Sequence, residues 1–363
     1  MTIRKGMKVF VLILVCTIFV ASGLFASGSG EKSAQEANGL EKVTISIHPS
    51  GHGLPAYIAS EKGFYAEQGL DVKTLIYIAA PPQMEAYSTG AWDIGTTGFG
   101  GIVLGVAKNN LVVLGSSIDD GKLLALWARP DSALAKAGYD KSIGAYGNAS
   151  LWKGQEILMT QGTIINVLLT STLQRMGLRD DAVKKINMDS SPAYTAFKAG
   201  NGDLVQGFAA FYFAAESDGM IPVSTGITQD IFLPSAIIAS EKIINERPQV
   251  VQAWLRAYMK SVQWIKDNPG EAAQMLVEFS EENGVTTDLE RARNFVRLQI
   301  SLIPDQTEQL DMFAQASDSK QTNWQKSLGN SMDFYILMGN YREADKAALL
   351  EESNYNSSFM QNL

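Results

Sequence analysis

The sequence predicts an α/β protein built as two lobes, and three observations carry that prediction. Strand-like and helix-like segments alternate from residue 43 onward, the pattern of a largely parallel sheet with helices on both faces. The alternation runs through residues 43–114 and starts again at 155–208, and apolar strand-like segments at 123–127 and 231–239 lead out and back. A chain of 363 residues also exceeds one ordinary hydrophobic core.

Taken in order, residues 43–47 alternate as a strand and run into the loop Pro49-Ser50-Gly51-His52-Gly53. Pro55 suits a first helical turn and Gly63 its end. A strand is expected over 71–77, a short helix over 83–88, a third strand from Asp93, a third helix over 102–107 and a fourth strand over 111–114. Residues 130–147 are irregular and rich in Gly and Ala. The second unit opens with a strand at 155–159 and a helix at 164–176, stopped by Gly177. A strand at 185–188, a helix at 193–199 and a strand at 204–208 follow. The last third is helical. Pro248 starts a helix whose apolar face includes Val251, Trp254, Leu255, Tyr258 and Val262. Asn268-Pro269-Gly270-Glu271 supplies a cap, a first-turn proline and a reciprocal acid for the next helix. Further helices are expected around 295–303 and 332–338. No internal repeat of short period is present.

The amino-terminal residues set the compartment. Arg4, Lys5 and Lys8 precede an apolar run over 9–20 and mostly small residues over 21–26, the order of a secretory signal. The run is too short to span a membrane comfortably, which takes about 20 apolar residues. Cleavage is expected after Ala26 or after Gly23. Cys16, the single cysteine, lies within the apolar run and follows Val15, which is not small, so a lipid anchor is disfavoured. The exported chain then has no thiol for a disulfide, a zinc–thiolate site or a cysteine nucleophile. The signal holds three of the 30 basic residues and none of the 38 acidic ones, so export leaves an acidic protein without the basic surface that nucleic acid requires. Residues 27–39, rich in Ser, Gly, Ala and Glu, read as a tether.

Candidate binding residues come from a feature that recurs. A strand runs into a loop of Gly, Ser, Thr or His, and the loop opens a helix, at 50–53, 96–101 and 161–163. Such loops present free backbone N–H groups and hydroxyls at helix N-termini, which attract anionic oxygens. In open α/β sheets ligands sit beyond the carboxyl ends of the strands, where these loops lie. The two histidines, His48 and His52, fall in or beside the first loop. They have no cysteine and no spaced third ligand, so hydrogen bonding to a ligand is expected of His52 and no metal is. Phe208, Phe211 and Tyr212 follow a strand; Phe208 is the best candidate for an apolar wall, and the others read as core. Asp119 and Asp120 read as a solvated turn, with pairing to a ligand amine as the alternative. Gly98-Phe99-Gly100 fails as a dinucleotide loop because Val103 stands where the third glycine belongs. No phosphate loop, zinc-protease helix or serine elbow is present.

The block from Gly53 to Tyr65, Gly-Leu-Pro-Ala-Tyr-Ile-Ala-Ser-Glu-Lys-Gly-Phe-Tyr, followed by Gly69-Leu70-Asp71-Val72, resembles the opening of the nitrate/sulfonate/taurine and thiamine-precursor-like family of solute-binding proteins. Gln83, Ala86, Gly90-Ala91-Trp92-Asp93-Ile94-Gly95, Trp152-Lys153-Gly154, Gly162-Thr163 and Gly200-Asn201-Gly202-Asp203 continue the similarity over about residues 42–285. The family often has Gly-Gln-x-Asp before Trp-x-Pro; here Asn201, Phe208 and Ala210 replace the glutamine, tryptophan and proline.

The resemblance implies a type II periplasmic-binding-protein fold, two α/β lobes joined by a two-strand hinge and closing over a small ligand. It implies ligand contacts at His52, Thr97, Gly98, Thr163, Asn166 and Phe208, with departures at Thr160, Asn166 and Ala210 that bear on ligand identity. The expected organisation is signal 1–26, tether 27–41, first part of lobe 1 at 42–128, lobe 2 at 129–230, and return strand with C-terminal helices at 231–363. The expected function is capture of a small organic ligand, anionic and sulfonate-like or planar and heteroaromatic, for an ABC permease and its ATPase. The protein is expected to be exported, monomeric, free of cofactor and not an enzyme. The alternatives are an enzyme similar to the thiamine-pyrimidine synthases on the same fold, whose histidine and cysteine-rich motif the cysteine-free exported chain lacks, and a ligand-sensing module for a membrane receptor.

Overall fold

The computed structural model describes residues 39–208, 210–285, 287–337 and 339–363. The expected signal and nearly all of the expected tether lie outside the described residues. From Leu40 to Leu363 the chain forms one unit built on two sheets.

The first sheet holds β1 (Glu41–Ile47), β2 (Leu70–Ile76), β3 (Ile94–Thr97) and β4 (Leu111–Asp119), with β12 (Pro234–Ser240) inserted between β3 and β4. β1 is parallel to β2 and β3, whereas β12 is antiparallel to both of its neighbours. The second sheet runs in the order β6 (Tyr139–Asp140), β7 (Ala145–Tyr146), β11 (Ile221–Thr225), β5 (Ala125–Ala128), β10 (Leu204–Gly207), β8 (Glu156–Met159), β9 (Lys184–Asn187). β8, β9 and β10 are parallel, and β5 is antiparallel to β10 and β11. Thus the strand expected at 123–127 belongs to the second sheet, and β5 and β12, each just arrived from the other sheet, run antiparallel to both of their neighbours.

The helices cover these sheets with the faces their periodicity demands. In the helix Pro248–Asp267, Val251, Trp254, Leu255, Tyr258, Val262 and Ile265 are buried at spacings of three and four. Trp254 stacks between Tyr65 and Tyr258 at ring-centroid distances of 6.2 and 5.1 Å. Burying such side chains contributes roughly 1.5–3 kcal/mol each. Pro269 does open the next helix, Pro269–Glu282, but the Asn268 side chain makes no cap for it. Its amide instead donates to the Trp264 carbonyl at 3.0 Å and closes the preceding helix, while Glu271 pairs with Lys62. Residues 130–147, expected to be irregular, hold the short helix Ala133–Ala137 with β6 and β7, and the sequence pattern also did not announce β11 or the helices Ala210–Ser217, Glu241–Glu246, Gln306–Phe313 and Glu343–Leu349. Pro222 and a register shift between Pro222 and Ser224 interrupt the alternation of β11, so its sequence does not read as a strand.

The sheets are joined where residues 119–124 and 226–233 cross side by side. The Asp119 carboxylate accepts from the N–H groups of Gly121 and Leu233 at 2.9 and 3.1 Å. The Asp120 N–H donates to the Leu233 carbonyl at 3.0 Å, and Gly226 N–H to the Leu124 carbonyl at 2.9 Å. A methyl group added at Gly226 would lie 1.9 Å from the Gly121 carbonyl oxygen, and one at Gly121 would lie 2.3 Å from that of Ile231. Asp119 and Asp120 are therefore buried, 5% and 8% exposed, and not the solvated turn expected. The second crossing segment covers them, a contact across more than a hundred residues that no local pattern announces.

Gly226→Ala should lower stability by about 1–3 kcal/mol through backbone displacement at the crossing. Gly270→Ala, in a helix with nothing within 4 Å of the added methyl, should be neutral or stabilising by up to about 1 kcal/mol. Urea denaturation of both variants beside the wild type checks this; equal losses would show that the close approach is not the cause.

Candidate functional site

The loops after β1, β2 and β3 meet at the carboxyl edge of the first sheet and, with Val285, border an open cavity of about 410 Å³. His48, Ser50, His52, Gly98, Gly100 and Gly101 supply its polar and backbone surface. The helix Phe99–Asn109 starts here. Gly98, its N-cap, has no side chain to cap with, so the first N–H groups keep no intrahelical partner. Gly98, Gly100 and Gly101 line the cavity, and a side chain at Gly98 would point toward His52.

Two histidines divide the electrostatics. His52 Nε2 lies 3.4 Å from Asp120 Oδ1, and Asp120 Oδ2 accepts from the Ser235 hydroxyl at 2.8 Å. Burial opposes the charge on His52, but the Asp120 carboxylate outweighs it and the imidazole pKa is raised. His52 Nδ1 is buried without a hydrogen-bond partner among the described residues. His48 behaves in the opposite way. Burial, and then the neighbouring His52, lower its pKa to about 4. Its Nε2 lies 3.0 Å from Gln83 Oε1, and the Gln83 amide donates to Ser46 Oγ at 2.9 Å and to the Thr96 carbonyl at 3.0 Å. A carbonyl can only accept, so the Gln83 amide is oriented and neutral His48 carries its proton on Nε2. Burial also pushes Asp119 up to about 6, against the two backbone donors that favour its anion.

The expected site residues fall into separate groups. His52 and Gly98 line the cavity together; a methyl on Gly98 would sit 3.6 Å from His52 Cε1. Thr97 is fully buried, with its hydroxyl tucked under the first helical turn where a side chain on Gly101 would otherwise fall, and it does not line the cavity. Thr163 and Asn166 sit together at the start of the helix Ile164–Arg175. The Thr163 hydroxyl donates to the Thr160 carbonyl at 2.8 Å, and Asn166 Oδ1 accepts the Thr163 N–H at 3.3 Å. Phe208 packs half-buried near Leu123 and Phe213, where the sheets meet. Thr163, Asn166 and Phe208 do not line the His52 cavity. Phe211 and Tyr212 pack in the second-sheet core, against Tyr194 and Trp127.

Sequence reasoning missed the organising role of two buried glutamines. Gln83 ties the β1 and β3 loops together. Gln206, 2% exposed, does the same in the second sheet: its Oε1 accepts the Thr160 N–H at 2.9 Å, and its amide donates to Thr160 Oγ1 and Ser190 Oγ at 2.9 and 2.8 Å. Gln206 sits inside a strand, and only a polar residue among apolar neighbours could have marked it.

A second cavity of about 440 Å³ lies between the helices Ile164–Arg175 and Asn323–Leu337. The two helices and residues 229–232 of the second crossing segment bound it, and its charges are already paired, Asp230 with Arg175 and Lys326 with Asp318, each at 2.7 Å. Among the described residues, no three His, Cys, Asp or Glu side chains converge as a metal site, and no helix is long and apolar enough to cross a membrane.

Residues 52–272, which include His52 and Gly98, match the family described as NMT1/THI5 like. The chain belongs to the NMT1/THI5-like family. It is 26% identical over 297 residues to a Brachyspira hyodysenteriae protein named as an ABC transporter periplasmic binding protein, covering 81% of this chain and 84% of the relative. It is 25% identical to a Bacillus subtilis protein named as an aliphatic sulfonates-binding protein, over 74% of this chain and 77% of the relative. The fold is that of the Escherichia coli periplasmic aliphatic sulphonate binding protein SsuA, with a TM-score of 0.62 at 16% identity over 86% of this chain and 92% of that one. The expected α/β periplasmic-binding fold and the family resemblance are both met.

The two histidines make the electrostatics measurable. In an NMR titration His48 should titrate near pH 4 and His52 above 6.5. In Asp120→Asn the His52 midpoint should drop below 6.5, because burial then acts without the carboxylate. The stability signs follow. His52 stabilises the fold below pH 6.5 and loses that contribution as pH rises through its raised folded value. His48 contributes above 6.5 and loses it as pH falls through about 4. An unchanged His52 midpoint in Asp120→Asn would remove the ion pair from this account.

Proposed function

We propose that this chain is the extracytoplasmic solute-binding component of an ABC importer, and that it captures a small organic ligand with an anionic or strongly accepting head. The observation that carries this reading is the His52–Gly98 cavity. An uncapped helix N-terminus, glycine-exposed backbone and an imidazole with raised pKa and an unpartnered Nδ1 converge there. These are donors for an anion. The named sulfonate-binding relatives support a sulfonate-like head.

In the same reading the two sheets are the cores of two lobes, and the crossing at residues 119–124 and 226–233 is the hinge. Closure would bring the Thr163–Asn166 loop and Phe208 toward the His52 cavity, completing a shared cleft. The ligand passes to a membrane permease served by an ATPase, and the protein works outside the cytoplasm as a monomer without a cofactor and without catalysis.

Gly98→Ala tests the head site. The backbone at Gly98 (φ −79°) is ordinary, and the added methyl makes normal contacts with His52 and Ser235, so the fold should be kept. Calorimetric titration with ethanesulfonate should show binding to the wild type and about ten-fold weaker binding to the variant. Small-angle scattering should show a smaller radius of gyration with ligand bound. Wild-type affinity in Gly98→Ala would place the head elsewhere, and an unchanged radius at saturation would count against closure.

A further inference from the structure

We propose that an apolar compartment beside the His52 cavity is a second subsite, which takes an aryl group carried by the same ligand; this rests on the reading of the His52 cavity as the head site. The compartment encloses about 300 Å³ between the β1 loop and the helices Ala210–Ser217, Pro269–Glu282 and Leu289–Leu302. Phe213, Leu276, Ala292 and Phe295 form its apolar walls. Pro49, Ser50 and Val285 line both this space and the His52 cavity, so the two are neighbours across a shared wall. A cavity of about 150 Å³ holds benzene, so this one has room for a ring and part of its linker.

Two features point to an occupant. Val285, at the junction, is 40% exposed, and Ile78, on the rim of the His52 cavity, is 79% exposed. A ligand lying across the junction would cover apolar surface that the protein leaves open. The walls are also built to stay in place. Phe213 and Phe295 meet with ring centroids 5.6 Å apart and planes at 64°, and Arg297 pairs with Glu216 at 2.8 Å between the same two helices. The space is therefore formed before a ligand arrives, which lowers the ordering cost of binding.

The lining selects an aryl group over a plain alkyl chain. Half-buried Phe295, backed by the buried Phe213 ring, offers ring surface to an aryl group. Arg291 lines the same compartment, with its guanidinium 3.2 Å from the exposed Asp288, and a guanidinium is attracted to a ring face. Ser280 and Thr287 leave room for a polar substituent.

The test uses three probes and two variants of the full exported chain. The probes are ethanesulfonate (head alone), 4-phenylbutane-1-sulfonate (head and aryl tail) and 4-phenylbutan-1-ol (tail without the charged head). Thr287→Trp fills the compartment from a half-buried position, and Val285→Trp blocks the junction from an exposed one; thermal melting confirms that each is folded. The aryl sulfonate should bind wild type about ten-fold or more tighter than ethanesulfonate. Thr287→Trp should erase that gap while leaving ethanesulfonate affinity unchanged, and Val285→Trp should erase it independently. If the phenyl alcohol binds and loses affinity in Thr287→Trp while neither sulfonate binds, the subsite stands and the head reading fails. Equal affinity for the two sulfonates, a gap that survives both tryptophans, or no binding of any probe would overturn the proposal.

Discussion

The crossing of residues 119–124 and 226–233 is the constraint on which the rest depends. Two backbones approach so closely that neither Gly121 nor Gly226 tolerates a side chain, and the buried Asp119 carboxylate clamps them by accepting one N–H from each segment. A buried carboxylate is costly unless its oxygens are satisfied. Two backbone donors offset that cost at Asp119, and Ser235 with His52 does so at Asp120. Each sheet receives its antiparallel strand directly from this point.

The same aspartates connect the crossing to the candidate site. Asp119 holds the chain path while Asp120, the next residue, faces His52 and raises its pKa. An anion accepted at His52 Nδ1 would favour the imidazolium and strengthen its attraction to Asp120, which is bonded in turn to the first strand residues after the return crossing. Site charge and crossing geometry thus share one hydrogen-bonded unit.

Buried glutamines perform a related task within each sheet. Gln83 and Gln206 use both amide ends to fasten loops from different strands, and a carboxamide suits this because it donates and accepts without a charge to desolvate. Gln83 thereby ties together the ends of β1 and β3 that border the His52 cavity.

The sequence by itself determined the α/β alternation, the strands of the first sheet, the long amphipathic C-terminal helices and the three glycine- and hydroxyl-rich loops, because periodicity and turn chemistry are local. That His52 and Gly98 would sit in loops beyond the strand ends was legible for the same reason, since the composition of those loops marks them. What only the tertiary structure decided lies in contacts between distant segments. Asp119 and Asp120 read as a polar turn and are buried, because residues 231–235 cover them. Asn268 read as a cap for the helix after it and closes the one before, its amide donating to the Trp264 carbonyl. Thr97 read as a cavity hydroxyl and is packed under Gly101. Phe213 went unread beside Phe211 and Tyr212, yet it is the ring that meets Phe295. Residue type and spacing fix what a segment forms and which groups it offers; which groups end up buried, paired or facing a cavity is set by what packs against them from elsewhere in the chain.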